Sequence, residues 1–125
     1  MSRELRGVVV AHGSLAAALV GAAEEISGIR GVLLPVSNSG CDRDQLERRV
    51  GEAIGTAGAV VFVDLPSGSC LFAAMRRLAD RPDVRVVTGV NLGMLLEFLF
   101  HRTEPVEVAA HRAAQSGIRG IGERE

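Results

Sequence analysis

With 125 residues, 47% of them hydrophobic and 23% charged, the chain has the composition of one folded domain that can bury a core without disulfides or metals. A net charge of −1 with scattered arginines excludes the basic stripe that nucleic acid demands, and four Phe without Tyr or Trp leave few platforms for stacked bases. No run approaches the roughly 18 apolar residues of a membrane helix, and the charged start Met1-Ser2-Arg3-Glu4 leads into no secretory block, so the cytoplasm is the expected compartment.

Residues 5–11 read as a buried strand that stops abruptly at His12-Gly13-Ser14. A helix follows over 14–26, with Leu15, Leu19, Ala22, Ala23 and Ile26 at helical spacing and Gly28 as its stop. Residues 31–36 form a second strand that runs out into the loop Ser37-Asn38-Ser39-Gly40-Cys41. Asp42 is placed to cap a second helix whose apolar stripe is Leu46, Val50, Ala53 and Ile54; Arg43, Glu47, Arg48, Arg49 and Glu52 read as its solvated face. Residues 59–63 are a continuous apolar strand of the kind found in doubly covered parallel sheets, ending in Asp64-Leu65-Pro66-Ser67-Gly68-Ser69. A third helix covers about 69–80, with Arg76 and Arg77 on its polar side, and a fourth strand covers 84–88. The helix over 92–101 is apolar on nearly every side and belongs in a core or a subunit interface. A last helix is expected over 104–115, and a weak strand signal over 117–121.

Strand and helix alternate four times with short connections, which predicts an α/β, doubly wound, mostly parallel sheet with helices on both faces. Such a sheet binds ligands at the carboxyl ends of its strands. Those ends carry His12; Asn38 and Ser39; Asp64, Ser67 and Ser69; Thr88 and Asn91, whereas the opposite edge offers only Gly and Arg. If the first and third strands are neighbours, His12 and Asp64 stand roughly 5 Å apart. A carboxylate at that range can bind one ring nitrogen of the histidine and leave the other unprotonated and nucleophilic. The plainer reading, with about equal weight, is that Asp64 caps the turn before Pro66. Ser67-Gly68-Ser69 at a helix start presents free backbone N–H groups suited to a phosphate or oxyanion.

Every basic side chain among the 14 is arginine, which excludes a phosphate-loop lysine, a Schiff-base lysine and a lysine general base. Cys41 and Cys70 form neither a disulfide framework nor a zinc pattern, so a metal site would have to come from residues the fold brings together. No cofactor is implied.

His12-Gly13 after strand one, Asp64-Leu65…Gly68-Ser69 after strand three, and Gly89-Val90-Asn91-Leu92…Met94-Leu95-Leu96-Glu97 before the apolar helix resemble the mannose-type IIA component of the bacterial sugar phosphotransferase system (PTS). The resemblance spans essentially the whole chain as one IIA domain. It implies that His12 takes a phosphoryl group from the phosphocarrier protein HPr and passes it to a IIB partner. It implies that Asp64 orients His12, with Gly13, Ser67, Gly68 and Ser69 around the phosphoryl group and the Ser69 hydroxyl close to it. It further implies a homodimer that exchanges a C-terminal strand, and contact with a membrane permease only through partners. The chain departs from the family at Pro66-Ser67-Gly68-Ser69-Cys70, where an aromatic or bulky residue and Gly-Gly-Ser-Pro are usual, and at Gly93, where Pro is usual. Without an attached IIB domain the protein can also be read as a regulatory phosphohistidine protein uncoupled from sugar uptake.

Two readings come from other classes. His12, Asp64 and Ser69 supply the residue types of a hydrolase triad, though no G-x-S-x-G elbow surrounds either serine. Cys70 with His12 would make a thiol enzyme, against the commoner role of a small packed residue. Cys41 and Cys70 share one edge and could form a redox pair. His101 and His111 lack evident carboxylate partners and read as surface or interface residues.

Overall fold

The computed structural model describes residues 4–124 apart from the Arg77 side chain. The charged start at 1–3 and the Arg77 part of the polar face of the third helix lie outside the described residues.

The elements run β1 (Arg6–Ala11), α1 (Leu15–Ser27), β2 (Leu33–Ser37), α2 (Arg43–Ile54), β3 (Ala59–Val63), α3 (Ser69–Leu78), β4 (Val84–Thr88), α4 (Leu92–Phe100) and α5 (Val106–Arg119). The four strands form one sheet in the order β2-β1-β3-β4, parallel throughout. The central strands are the two most continuous apolar runs, and every residue of β3 is buried. The edge strands β2 and β4 bury only their first and fourth residues and leave the others more exposed. Pro35, opposite Val9, is tolerated because an edge strand has a free side where no N–H is needed.

Alternation along β1 and β3 divides the core. Val9, Ala11, Val60 and Phe62 pack with α1, α4 and α5 on one face, and Val8, Val10, Val61 and Val63 pack with α2 and α3 on the other. Phe62 and Phe98 meet edge to face at 5.5 Å between centroids, at the centre of the first layer. Gly7 makes this approach possible: a Cβ there would lie 2.6 Å from Leu33 Cδ2 and 2.8 Å from Phe98 Cε2. Gly7→Ala is therefore expected to cost about 1–3 kcal/mol in urea unfolding. An unchanged midpoint would mean that this layer has room to spare.

Asp42 caps α2 as expected, accepting from the Gln45 N–H at 2.9 Å while the Gln45 side chain accepts from the Asp42 N–H at 2.8 Å. The all-round apolar helix α4 buries Met94, Leu95, Phe98 and Leu99 and leaves Phe100 exposed. The end of the chain differs from expectation. Residues 117–119 are the last turn of α5, and 120–124 adopt no strand, so the closing strand at 117–121 is absent. Ala109, Ala110, Ala113 and Gly117 make a buried small-residue stripe along α5, and a Cβ at Gly117 would run into the Met94 side chain. Close helix packing thus recruits a segment that local composition assigns to a strand. No helix among the described residues is long and apolar enough to cross a membrane.

Candidate functional site

The site forms where β1 and β3, adjacent in the sheet, both end. The Asp64 N–H donates to the Val10 carbonyl at 3.3 Å, extending the ladder by one residue and setting the carboxylate beside His12. One oxygen, Asp64 Oδ2, accepts the His12 backbone N–H at 3.0 Å and lies 2.8 Å from ring Nδ1. An acceptor facing Nδ1 draws the ring proton there and leaves the lone pair on Nε2. The His12 side chain is 43% exposed and that of Asp64 only 9%, so the ring reaches solvent while its anchor does not.

Burial pushes the Asp64 carboxyl up, but the backbone and side-chain hydrogen bonds from His12 and the charge of its ring outweigh burial and hold it below the ordinary value of 3.8. Its second oxygen, Oδ1, is buried and has no hydrogen-bond partner among the described residues.

The β2 side fixes the turn after His12. Gly13 has a φ of +60°, where a side chain would be strained; its N–H donates to Asn38 Oδ1 at 3.1 Å and its carbonyl accepts from Ser37 Oγ at 2.7 Å. Arg49 braces that loop through Nη1, which donates to the carbonyls of Ser37 and Ser39 at 3.1 and 3.2 Å. Arg49 thus has a positioning task that its place on a charged helix face did not reveal. The Gly13 N–H is engaged by Asn38 and is not a free donor in this arrangement.

The loop from Leu65 to Ser69 is exposed on the other side. Gly68, at φ +95°, opens α3 without a side-chain cap, and Ser14 likewise leaves α1 uncapped. The first-turn N–H groups of both helices therefore lack the cap acceptors that Asp42 and Asn91 provide for α2 and α4. Two positive helix ends flank the histidine. Asn91 serves structure instead, its Oδ1 accepting from the Met94 N–H at 3.1 Å and its Nδ2 donating to the Gly117 carbonyl at 3.2 Å.

Cys70, in the first turn of α3, is fully buried with its sulfur 3.9 Å from His12 Nδ1. Burial and the neighbouring Asp64 carboxylate push its thiol up to about 11, opposed by a hydrogen bond from Ser69. A thiol so protonated is a poor nucleophile at neutral pH. Iodoacetamide at pH near 7.5 is accordingly expected to label the partly exposed Cys41 well before Cys70, as read by peptide mass spectrometry. Faster labelling of Cys70 would revive the thiol-enzyme reading. No hydrogen bond joins Ser67 or Ser69 to His12 among the described residues, so the serine–histidine contact of a hydrolase triad is missing.

Away from this edge, His101 Nε2 pairs with Glu97 at 2.9 Å and its Nδ1 lies 3.7 Å from Glu104, so it does have carboxylate partners, from the turns on either side of it. Arg6 and Arg81 at the amino edge donate to the carbonyls of Ala53, Gly55 and Ala57. These cations close the end of α2.

An all-parallel α/β sheet with a carboxylate-anchored histidine at the end of its first strand defines the class: a small α/β protein whose polar side chains meet at the carboxyl edge of the sheet, the edge where such sheets bind ligands. The chain matches the EIIA-man family model, described as the PTS system fructose IIA component, over residues 7–115, and it belongs to that family. The crystal structure of phosphotransferase system component EIIA from Streptococcus agalactiae superposes with a TM-score of 0.81 at 25% identity, covering 95% of this chain and 96% of that one. The mannose/sorbose-specific IIA subunit from Enterococcus faecalis (21% identity, 98% and 96% covered, TM-score 0.81) shares the fold. So does the PTS IIA protein associated with the fucose utilization operon of Streptococcus pneumoniae (22% identity, 98% and 96% covered, TM-score 0.76). No curated protein sequence matches significantly.

Proposed function

We propose that this protein is a phosphohistidine carrier of the sugar phosphotransferase system, taking a phosphoryl group on His12 Nε2 from phosphorylated HPr and handing it to a IIB component. The observation that carries this reading is Asp64 Oδ2, which binds the His12 backbone N–H and faces Nδ1 at 2.8 Å while the ring stays exposed. In the transfer, the phosphorus–nitrogen bond of the donor breaks as the Nε2–phosphorus bond forms, and the Nδ1 proton stays on Asp64's side of the ring. The transition state is loose, so positioning and fixed dipoles do the catalytic work. The uncapped starts of α1 and α3, with Ser67, Gly68 and Ser69, supply donors toward the three phosphoryl oxygens, and Gly13 sets the turn. The 125 residues act as one IIA domain in the cytoplasm and reach a membrane permease only through partners.

Incubation with enzyme I, HPr and phosphoenolpyruvate is expected to add one acid-labile phosphoryl group by intact mass, and none to His12→Ala. A folded wild-type protein that gains no mass would overturn the relay from this donor. Onward loss of the group to an added IIB protein tests the second step.

A further inference from the structure

We propose that His12, Asp64 and Cys70 also form a binding site for a borderline divalent cation, Zn²⁺ or Co²⁺, with the fourth position open to solvent. One nitrogen, one carboxylate oxygen and one sulfur from these residues all lie within 4.8 Å of one another. Around a tetrahedral ion with bonds of about 2.0–2.3 Å, such atoms sit roughly 3.3–3.8 Å apart. Sγ is 3.9 Å from Nδ1, within a small rotation of that spacing, and Nδ1 and Oδ2 at 2.8 Å need to part by about half an ångström.

A second observation points to a ligand. Asp64 Oδ1 has no partner among the described residues although its side chain is only 9% exposed, and a buried carboxylate oxygen without a donor is costly. A cation held through both carboxylate oxygens, Oδ1 as well as Oδ2, would relieve that cost. The donor set selects the metal: imidazole and thiolate suit zinc and cobalt, whereas magnesium and calcium take oxygen ligands. With three protein ligands, the fourth tetrahedral position falls to a water.

The protons balance simply. Cys70 gives its thiol proton to solvent as the sulfur–metal bond forms, and the ring proton moves by way of solvent from Nδ1 to Nε2 as Nδ1 binds the ion. Protonated Nε2 has no lone pair to offer phosphorus. On the phosphohistidine reading, metal and phosphoryl group therefore exclude one another.

The test is titration of the full-length protein with Co²⁺ alone at neutral pH, with a phosphine reductant. The expected result is a sulfur-to-cobalt charge-transfer band at one ion per chain, displaced by Zn²⁺, absent in Cys70→Ser and kept in Cys41→Ser. His12→Gln changes an exposed side chain and should fold; its Co²⁺ affinity is expected to fall at least about tenfold, even if Cys70→Ser proves unstable. A folded wild type with no band, a band that survives Cys70→Ser, or an unchanged Co²⁺ affinity in folded His12→Gln overturns the site. A separate arm follows phosphorylation by the phosphoenolpyruvate chain with Zn²⁺ present. A missing cobalt band leaves the relay untouched, and a failed relay leaves the cobalt band to be judged by itself.

Discussion

Asp64→Ala is expected to slow phosphorylation of His12 by at least about a hundredfold, within the range for losing a positioned proton partner. The substitution removes the acceptor of two hydrogen bonds at once, from the His12 backbone N–H and from ring Nδ1. Without it the ring is free to turn and to carry its proton on Nε2, the atom that attacks in the proposed transfer. Asp64→Asn is expected to fall between wild type and Asp64→Ala, because an amide oxygen can accept both bonds but brings no charge. Rapid-quench mass spectrometry with phosphorylated HPr measures both, and rates within about twofold of wild type would remove Asp64 from the mechanism.

The same carboxylate gives stability a defined pH dependence. Its native value lies below the ordinary 3.8, so its contribution is complete above that value and is lost as pH falls through the native one. The stability gap between wild type and Asp64→Asn is expected to stay constant from about pH 7 to 5 and to close below about pH 4. A gap that instead closed between about pH 6 and 8 would assign the effect to a different group.

Phe98→Ala is expected to cost about 3–5 kcal/mol, the largest stability loss of any single substitution considered for this chain. Phe98 is fully buried and joins α4 to the sheet through its edge-to-face contact with Phe62, which itself lies on a central strand. Leu33 and Gly7 close the same pocket, and β1 cannot shift to fill a void because both of its edges are hydrogen-bonded. Chemical denaturation measures the loss; a cost below about 1 kcal/mol would mean that the layer collapses onto the space. The site lies at the strand ends, so the folded fraction should still take up one phosphoryl group.

The strands and most helix boundaries were legible because their signals are local. Unbroken apolar runs announce the central strands, and Asp42 ahead of an apolar helical stripe announces a capped helix. The pairing of His12 with Asp64 could be anticipated from strand order alone. Arg49 could not, because a charged residue on a helix face looks the same whether it meets water or the carbonyls of Ser37 and Ser39. His101, by contrast, pairs with a carboxylate that the sequence does place within reach: Glu97 stands four residues away, a spacing that brings two helical side chains together.

The sequence by itself determined the class of fold and the polar strand ends, His12 among them, since apolar runs, caps and polar strand ends are properties of neighbouring residues. Only the tertiary structure decided that residues 117–119 finish a helix, because contact with Met94 outweighs the local preference for a strand. It alone brought Cys70 to 3.9 Å from His12, across 58 positions of chain, and left one oxygen of Asp64 buried without a partner among the described residues. Such contacts depend on which strands lie side by side and where each helix begins, and no local pattern of residues encodes them.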